Sequence, residues 1–255
     1  MDLLILESTY GGRTHENFEL ERTKLVRCLN DTLNNNGSVI LASFGLGRAQ
    51  ELLMLVKNFV DEGKLTETPR VFYEGMIREI NPVYEKFSGG FSLGTQQFSP
   101  VDGRREREEV ALRAREGGYI IVTTSGMLAG GPVVHYAEKL LPDPRHRIVL
   151  TGYQDEAAPS QAIREATRSG RNRTLQVPTD EGEMRQIQVA QPAVEIGLSA
   201  HADQAGLVKL AKQVKPKHIV LVHGSSEAQA TLKPKLRQAL PDAIIECGPE
   251  HYDLP

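Results

Sequence analysis

Short apolar segments alternate with amphipathic segments along almost the whole chain. Residues 3–6, 38–44 and 119–124 are typical of buried strands, whereas residues 47–62 carry apolar side chains at the spacing of one helix face. This alternation predicts an α/β fold with a mostly parallel sheet, because each parallel strand needs a crossover, usually a helix, to reach its neighbour. At 255 residues the chain is long enough for one large domain or two modest ones.

The remaining elements follow from the same patterns. Further strands are expected at residues 71–73, 147–153, 193–198, 218–222 and 243–247. Further helices are expected at residues 17–30, 76–87, 102–115, 133–140 and 159–168, and the first of these is expected to end before residues 34–37. Residues 174–189 alternate apolar and polar side chains around Asp180-Glu181-Gly182, which predicts a hairpin, and residues 88–100 are expected to form a loop.

Composition and charge exclude several classes of protein. No apolar tract approaches the ~20 residues that a membrane span needs, and the short apolar run after Asp2 does not predict a signal peptide. Cys28 and Cys247 are isolated, so neither a disulfide framework nor a cysteine zinc site is indicated, and a cytoplasmic location is expected. A net charge of −3 gives no bulk attraction to nucleic acid, so any RNA binding has to come from a local basic strip.

Two histidines follow apolar segments near the C-terminal end of the chain. His201 follows the predicted strand at 193–198 and His223 follows the one at 218–222, so the histidines are 22 residues apart. This spacing is about one strand–helix–strand unit, which predicts that a parallel sheet places both imidazoles at one edge. Two imidazoles there suggest a metal ligand and a proton-transfer group. Each histidine also has a purely structural interpretation, either in a loop beside the helix cap Asp203 or buried against backbone.

Glu7 ends the first predicted strand and precedes Gly11 and Gly12. A carboxylate at this position can orient a histidine or hold a metal, and glycines allow close approach of the backbone. The alternative is a surface glutamate at a turn. The other histidines (His15, His146, His218 and His251) are expected to be solvated, except that His135 is a weak candidate for lining a cleft.

Two glycine-rich loops lead from a predicted strand into a helix. One contains Arg48 and the other contains Ser125 and Gly126, and these three residues are candidate contacts for phosphate or RNA. Glycines and hydroxyls at a helix N-terminus expose backbone N–H groups that suit a phosphate, although neither loop matches a nucleotide-binding fingerprint. The arginines of the predicted helix at 102–115 alternate with glutamates, which predicts a solvated helix face.

Five segments, in this order, together resemble one family. They are Glu7-Ser8-Thr9-Tyr10-Gly11, Phe44-Gly45-Leu46-Gly47-Arg48-Ala49-Gln50-Glu51, Ser125-Gly126-Met127, Ser199-Ala200-His201-Ala202-Asp203 and Leu221-Val222-His223-Gly224. This order is similar to the β-CASP branch of the metallo-β-lactamase superfamily, whose members include the cleavage-and-polyadenylation endonuclease subunit and its archaeal and bacterial relatives. The resemblance runs from Met1 to about Gly248.

The resemblance implies a fold and an activity. It implies an α/β β-CASP domain with a parallel-sheet core at residues 12–190, and the C-terminal part of a metallo-β-lactamase αββα fold built from residues 1–11 and 191–255. The implied activity is zinc-dependent hydrolysis of RNA phosphodiesters during RNA processing, with two Zn²⁺ ions in the complete enzyme. Glu7 resembles the acidic residue that orients the catalytic histidine, His201 resembles that histidine, a general acid, and His223 resembles a ligand of one zinc ion.

The chain departs from this family in its metal ligands. The family binds zinc chiefly through a His-x-His-x-Asp-His motif, a further histidine and a bridging aspartate, and no His-x-His occurs in these 255 residues. Because a zinc site needs three or four ligands, His223 by itself is not expected to hold a metal, and the chain alone is expected to be inactive.

Three hypotheses follow. The chain is the C-terminal portion of a zinc-dependent ribonuclease, separated from the rest by truncation, a misplaced start codon or a split gene. Alternatively it is a non-catalytic β-CASP scaffold or regulator in an RNA-processing complex, or a nucleotide-binding α/β module. Glu7, His201 and His223 together favour the first hypothesis, since a scaffold has no chemical need for all three. That hypothesis predicts an exposed apolar sheet face, and either a homodimer or a partner that supplies the N-terminal half.

Overall fold

The computed structural model describes residues 1–94, 97–152, 158–169, 174–179 and 182–248. It divides the chain into two compact units. The smaller unit combines Met1–Glu16 with the described residues from Ser199 onward, and the larger unit is Asn17–Leu198. No helix within the described ranges has both the length and the apolar character that crossing a membrane requires.

The elements alternate as the sequence predicts, and the α/β fold is confirmed. In chain order they are β1 (Leu3–Glu7), α1 (Phe18–Asn34), β2 (Val39–Ala42), α2 (Arg48–Asp61), β3 (Arg70–Glu74), α3 (Met76–Phe87), β4 (Phe98–Pro100), α4 (Gly103–Ala114), β5 (Tyr119–Thr123), α5 (Pro132–Leu140), β6 (Arg147–Thr151), α6 (Pro159–Ser169), β7 (Thr174–Pro178), β8 (Met184–Gln188), β9 (Val194–Ile196), α7 (Gln204–Val214), β10 (His218–Val222), α8 (Ser226–Ala239) and β11 (Ile244–Cys247).

The larger unit is built on a six-stranded parallel sheet in the order β4-β3-β5-β2-β6-β9. The central strand β2 is buried at all four positions because helices cover both faces of the sheet. Ile40 and Ala42 face one apolar cluster, which includes residues of α4, α5 and α6. Val39 and Leu41 face a second cluster, which includes residues of α1, α2 and α3. The sheet therefore forms the middle of three layers.

Two predictions about the larger unit need correction, and one is confirmed. The loop expected at 88–100 ends in a strand, β4, which exists because it pairs with the edge of β3. The first helix continues through Asn34, beyond the expected end at residue 30. The antiparallel hairpin is confirmed by the pairing of β7 with β8. Its turn residues 180 and 181 lie outside the described residues, and so does Tyr153 of the strand predicted at 147–153.

The smaller unit is a three-stranded parallel sheet in the order β1-β10-β11. Leu6, Leu221 and Ile245 point to one face, where they pack against α7 and α8 through Leu207, Ala211, Leu232 and Leu236. The caps of both helices are satisfied by side chains, since Asp203 accepts from Gly206 and Ser225 accepts from Ala228. The N-cap of α8 is therefore Ser225.

The opposite face of this sheet is apolar and exposed. Leu3 and Ile5 of β1 are 49% and 65% exposed, and Ile244 of β11 is 62% exposed. Strand β1 is therefore not buried along its length, as residues 3–6 suggest, but only at Leu6. This exposed face agrees with the first hypothesis, which predicts an exposed apolar sheet face. Apolar patches of this kind mark contact surfaces.

We expect the purified chain to self-associate through this face. Ile5→Lys should shift the population towards monomer, since a lysine in the middle of the face opposes edge or face association. Size-exclusion chromatography with light scattering measures the effect. Leu20→Lys on α1 is the matched control, since Leu20 is 63% exposed but lies in the other unit. A chain that is monomeric before any substitution contradicts the expectation.

Candidate active site

Strand pairing in the smaller unit brings Glu7 and His223 together. Strands β1 and β10 are parallel and in register, with Glu7 opposite Val222. Both strands therefore end at the same edge of the sheet, and His223 follows directly. Ser8, which is fully buried, ties the two ends by donating its hydroxyl to the carbonyl of Val222 at 2.8 Å.

His201 also lies beside Glu7 and His223, but the strand that precedes it is in a different sheet from the one that the sequence predicts. The preceding strand, β9, belongs to the six-stranded sheet, whereas β10 belongs to the three-stranded sheet. The expectation that one strand–helix–strand unit places both histidines at one sheet edge is therefore wrong. His201 instead lies in the loop before α7, and the imidazole rings of His201 and His223 still stack, with centroids 5.3 Å apart and planes 23° apart.

The three predicted residues form one cluster. Nδ1 of His201 lies 3.5 Å from Oε2 of Glu7. One ligand atom from each of Glu7, His201 and His223 can be chosen so that all lie within 4.8 Å of one another. Glu7 and His201 are partly exposed and His223 is exposed, so the cluster is open to solvent and to a substrate. The carboxylate of Glu7 is held in place because its Oε2 accepts a hydrogen bond from the backbone N–H of Thr9 at 2.8 Å.

Thr9 sets the tautomer of His223. Its hydroxyl donates to the backbone carbonyl of His223 at 2.9 Å and lies 3.0 Å from Nδ1 of the same residue. When this hydroxyl gives its one hydrogen to the carbonyl, Thr9 Oγ1 accepts from Nδ1–H, which assigns the proton of the neutral ring to Nδ1. Nε2 of His223 is left with a free lone pair, which is the state that binds a metal.

The backbone at His223 turns sharply. His223 has φ of 52°, in the left-handed region that costs a non-glycine residue energy and is found at functional sites. Gly224 follows, and a Cβ there would lie 2.4 Å from Ser8 Oγ and 2.6 Å from the backbone of Ser8. The glycine is needed for close packing of the two strand ends and so for the position of both Glu7 and His223.

Gly224→Ala is expected to destabilise the smaller unit by about 3 kcal/mol, because overpacking against fixed backbone forces β1 and β10 apart. Gly12→Ala is the matched control: its Cβ would meet Thr231 at an ordinary 3.5 Å. Hydrogen exchange of the β10 amides together with denaturant unfolding measures the difference. Equal stability of the two variants would show that the Ser8–Gly224 contact is easily relieved.

The loop that carries His201 is anchored by His15 and Asp203. His15 Nε2 donates to the carbonyl of His201 at 2.8 Å, and its ring packs edge-on against Tyr10 with centroids 4.7 Å apart. Asp203 accepts from the backbone of Gly206 and from that of His15. The hydrogen bond from Gly206, followed by that from His15, holds the pKa of Asp203 below its usual value. His15 is therefore a supporting residue of the site and not the solvated side chain expected from sequence.

His146 also differs from the expectation of a solvated side chain. His146 is buried, and its Nδ1 accepts from the backbone of Ser38 at 2.9 Å. Burial lowers the pKa of His146, so it is a neutral structural residue.

The remaining histidines lie away from the Glu7 cluster or outside the described residues. His218 is partly exposed and lies 2.9 Å from Glu246, while His251 lies outside the described residues. His135 lies 2.9 Å from Glu108 and lines a cleft beside α4 and α5.

The two glycine-rich loops meet within the larger unit. They follow β2 and β5, which are neighbours in the sheet, and a Cβ on Gly126 would lie only 3.0 Å from the backbone of Ser43. Ser125 uses its hydroxyl to hold its own loop, donating to Gly130 and accepting from Ala129. Arg48 is only 6% exposed and contacts Glu51 at 2.6 Å.

One arginine of α4 is not on a solvated face. Arg107 donates to the buried Glu74 at 2.7 Å, and Tyr136 donates to the other oxygen of Glu74, also at 2.7 Å. Burial raises the pKa of Glu74, against the effect of these two partners. Alternation of arginine and glutamate correctly describes most of α4, but a local pattern cannot reveal a buried carboxylate on another strand.

Comparison with known families assigns the class of protein. Residues 189–246, which include His201 and His223, match the "Zn-dependent metallo-hydrolase RNA specificity domain", and residues 49–163 match the "Beta-Casp domain". These two matches define the class: a chain with a β-CASP domain followed by an RNA specificity domain of the metallo-hydrolase type. The chain belongs to the β-CASP family of the metallo-β-lactamase superfamily.

Individual relatives support this assignment. An RNase J-like protein of Methanocaldococcus jannaschii is 31% identical over 88% of this chain and 52% of its own length. Transcription termination factor FttA of Methanothermobacter thermautotrophicus is 32% identical over 89% of this chain and 37% of its own length. Endoribonuclease YSH1 of Candida albicans is 30% identical over 92% of this chain and 27% of its own length. The chain thus spans about half the length, or less, of these relatives.

Proposed function

We propose that this chain forms the C-terminal portion of a zinc-dependent ribonuclease that hydrolyses phosphodiester bonds during RNA processing. The observation that carries the proposal is the cluster of Glu7, His201 and His223, which combines a carboxylate–imidazole pair with a second imidazole in a metal-binding tautomer. The match to an RNA specificity domain supports RNA as the substrate.

In this proposal His201 is the general acid. A protonated imidazole donates from both nitrogens, and Nδ1 faces Glu7 at 3.5 Å. The carboxylate stabilises the imidazolium and fixes the ring, so that Nε2–H is the proton given to the leaving oxygen of the cleaved bond.

His223 is proposed as a ligand of one of two zinc ions. The donor set fits zinc: imidazole nitrogen and carboxylate oxygen are common zinc ligands, and Nε2 of His223 has its lone pair free. When bound, zinc activates water as a nucleophile and withdraws charge from the phosphate. Since His223 supplies one ligand only, we assign the remaining ligands to a metallo-β-lactamase segment outside these 255 residues, in the same polypeptide or in a partner.

The domain assignment remains part of the proposal. Residues 12–190 are assigned to the β-CASP domain, and residues 1–11 and 191–255 to the metallo-β-lactamase fold. Ser125, Gly126 and Arg48 are proposed to serve phosphate binding in the β-CASP domain. Arg48 is buried against Glu51, and the Ser125 hydroxyl is bonded within its own loop, so we assign these two side chains to holding the loops that present backbone N–H groups to a phosphate.

A cleavage assay tests the proposal. The coding DNA upstream of Met1 is sequenced first, and the longest natural polypeptide or complex that contains the chain is purified with zinc. It is incubated with end-labelled single-stranded RNA and with DNA of the same sequence. We expect cleavage of the RNA that stops when the zinc is chelated. If a zinc-loaded preparation leaves RNA intact, the nuclease hypothesis is wrong and the scaffold or regulator hypothesis takes its place.

A further inference from the structure

A basic cleft lies on the larger unit, between α1 and the turn that precedes β6. It encloses about 500 Å³. Among the described residues, four cationic side chains (Lys24, Arg27, Arg145 and Arg147) and one carboxylate (Asp31) line it. In a chain of net charge −3 this is a marked local reversal of charge.

The four cations differ in how they are engaged. Arg145 is committed to structure, because it contacts Asp143 at 2.8 Å and donates to the carbonyl of Arg115. Arg27 is 3.6 Å from Asp31 but its side chain is 82% exposed, which makes that pair weak. Lys24 lies 3.9 Å from Glu21, at the limit of an ion pair.

Arg147 is the cation best placed for a ligand. Its Nη1 donates to the carbonyls of Pro144 and His146, at 2.8 and 3.0 Å, which fixes the guanidinium in place. Within the described part of the chain, no carboxylate lies within ion-pair distance of it. A fixed guanidinium without a carboxylate partner presents its remaining N–H groups to an anion, and its planar fork matches a phosphate.

The lining of the cleft also includes uncharged and apolar groups. Pro144, Val194 and the Cys28 side chain contribute to it, so one ligand can have apolar contact and a charged neighbour at the same time. Burial raises the pKa of the Cys28 thiol to about 11, so the thiol is neutral at physiological pH. A nucleotide has these two parts, an apolar base face and a phosphate.

We propose that this cleft binds a nucleotide of single-stranded RNA, with its phosphate at Arg147 and Lys24 and its base against Pro144 and Val194. It lies at the amino end of β6, at the edge of the sheet opposite the glycine-rich loops that follow β2 and β5. In this proposal the cleft is a second RNA contact, separate from the glycine-rich loops, and the nucleotide in the cleft is not the one that those loops bind. This inference rests on the proposed action on RNA.

The test measures binding of a fluorescent single-stranded oligouridine to the full chain by anisotropy. The variant is Lys24→Gln combined with Arg147→Gln, and the matched control is Lys57→Gln combined with Arg105→Gln, which removes the same charges from α2 and α4. We expect on the order of tenfold weaker binding in the cleft variant, and a salt dependence that is shallower by about 0.7 in logarithmic slope, for one phosphate that is no longer neutralised. The control is expected to change affinity less than about twofold.

The outcomes separate this inference from the proposed function. If the wild-type chain binds RNA and both variants bind equally well, the cleft inference is wrong while the proposed function stands. Equal weakening in both variants also overturns it, since the effect is then one of net charge. If the wild-type chain binds no RNA, the cleft and the proposed RNA contacts both fail.

Cysteine labelling gives an independent readout. Cys28 lines the cleft and Cys247 is exposed in the other unit, so the second thiol serves as a control within the same molecule. Alkylation is followed by mass spectrometry at about pH 9, where more of the Cys28 thiol is ionised. We expect oligouridine to slow alkylation of Cys28 several-fold more than that of Cys247. Protection by uridine monophosphate without protection by oligouridine would assign the cleft to a free nucleotide and overturn the RNA contact.

Discussion

Replacing His201 by alanine is expected to lower the rate of RNA cleavage by about 10²–10⁴-fold in the zinc-loaded enzyme, as for the loss of a general acid. The zinc content is expected to stay unchanged, because in our proposal His201 donates a proton and binds no metal. Turnover is measured under single-turnover conditions, and zinc is measured in the same preparations by atomic emission.

Glu7→Gln provides the companion variant. The amide keeps the shape of the side chain but removes the charge that faces Nδ1 of His201 at 3.5 Å. We therefore expect a smaller loss of rate than for His201→Ala, because the ring keeps its proton-donating nitrogen and loses only the carboxylate that orients it. Single-turnover rates of the two variants on the same RNA measure the difference.

A leaving group that needs no proton offers a sharper comparison. With such a substrate, His201→Ala and the wild-type enzyme should react at similar rates, whereas a variant with a damaged site would remain slow. If His201→Ala stayed slow on the activated substrate, the residue would act in folding or binding and the general-acid role would have to be abandoned.

The elements that sequence predicts well are those whose burial is uniform. Strand β10 matches the predicted bounds, and β2 and β5 lie within the predicted segments, because an apolar run between polar turns has few alternatives in an α/β chain. Helix α3 matches its predicted bounds as well, although it contains Pro82. Strand β4 cannot be predicted from the sequence, because its three residues, Phe98-Ser99-Pro100, are too few to show a pattern of alternating apolar and polar side chains. They form a strand only by pairing with β3.

The site shows a different limit of sequence reasoning. The residue types Glu7, His201 and His223 are found from the ends of apolar segments, but the sheet that each strand joins is a property of the tertiary structure. For this reason the sequence correctly predicts that His201 lies beside His223, but it wrongly predicts that the two preceding strands belong to one sheet. His15 could not be predicted, because its role depends on the carbonyl of His201, 186 residues away.

Replacing His223 is expected to remove zinc, in contrast with His201. His223→Ala places alanine at φ of 52°, so a second variant, His223→Asn, is needed, since asparagine tolerates the left-handed region. Both variants should lower zinc occupancy and activity together, because the Nε2 ligand is lost. His218→Ala, on the same strand but bonded to Glu246, is the control and should keep its zinc.

The pair of experiments separates two arrangements of the metal. In our proposal His223 is a zinc ligand and the Glu7–His201 pair stands beside it, so only the His223 variants lose metal. The three side chains also lie close enough to act as a three-ligand site, with donor atoms within 4.8 Å of one another. Such a site would lose zinc equally in His201→Ala, Glu7→Gln and His223→Asn. Equal loss would make His201 a ligand, and the proton for the leaving group would then have to come from another residue or from water.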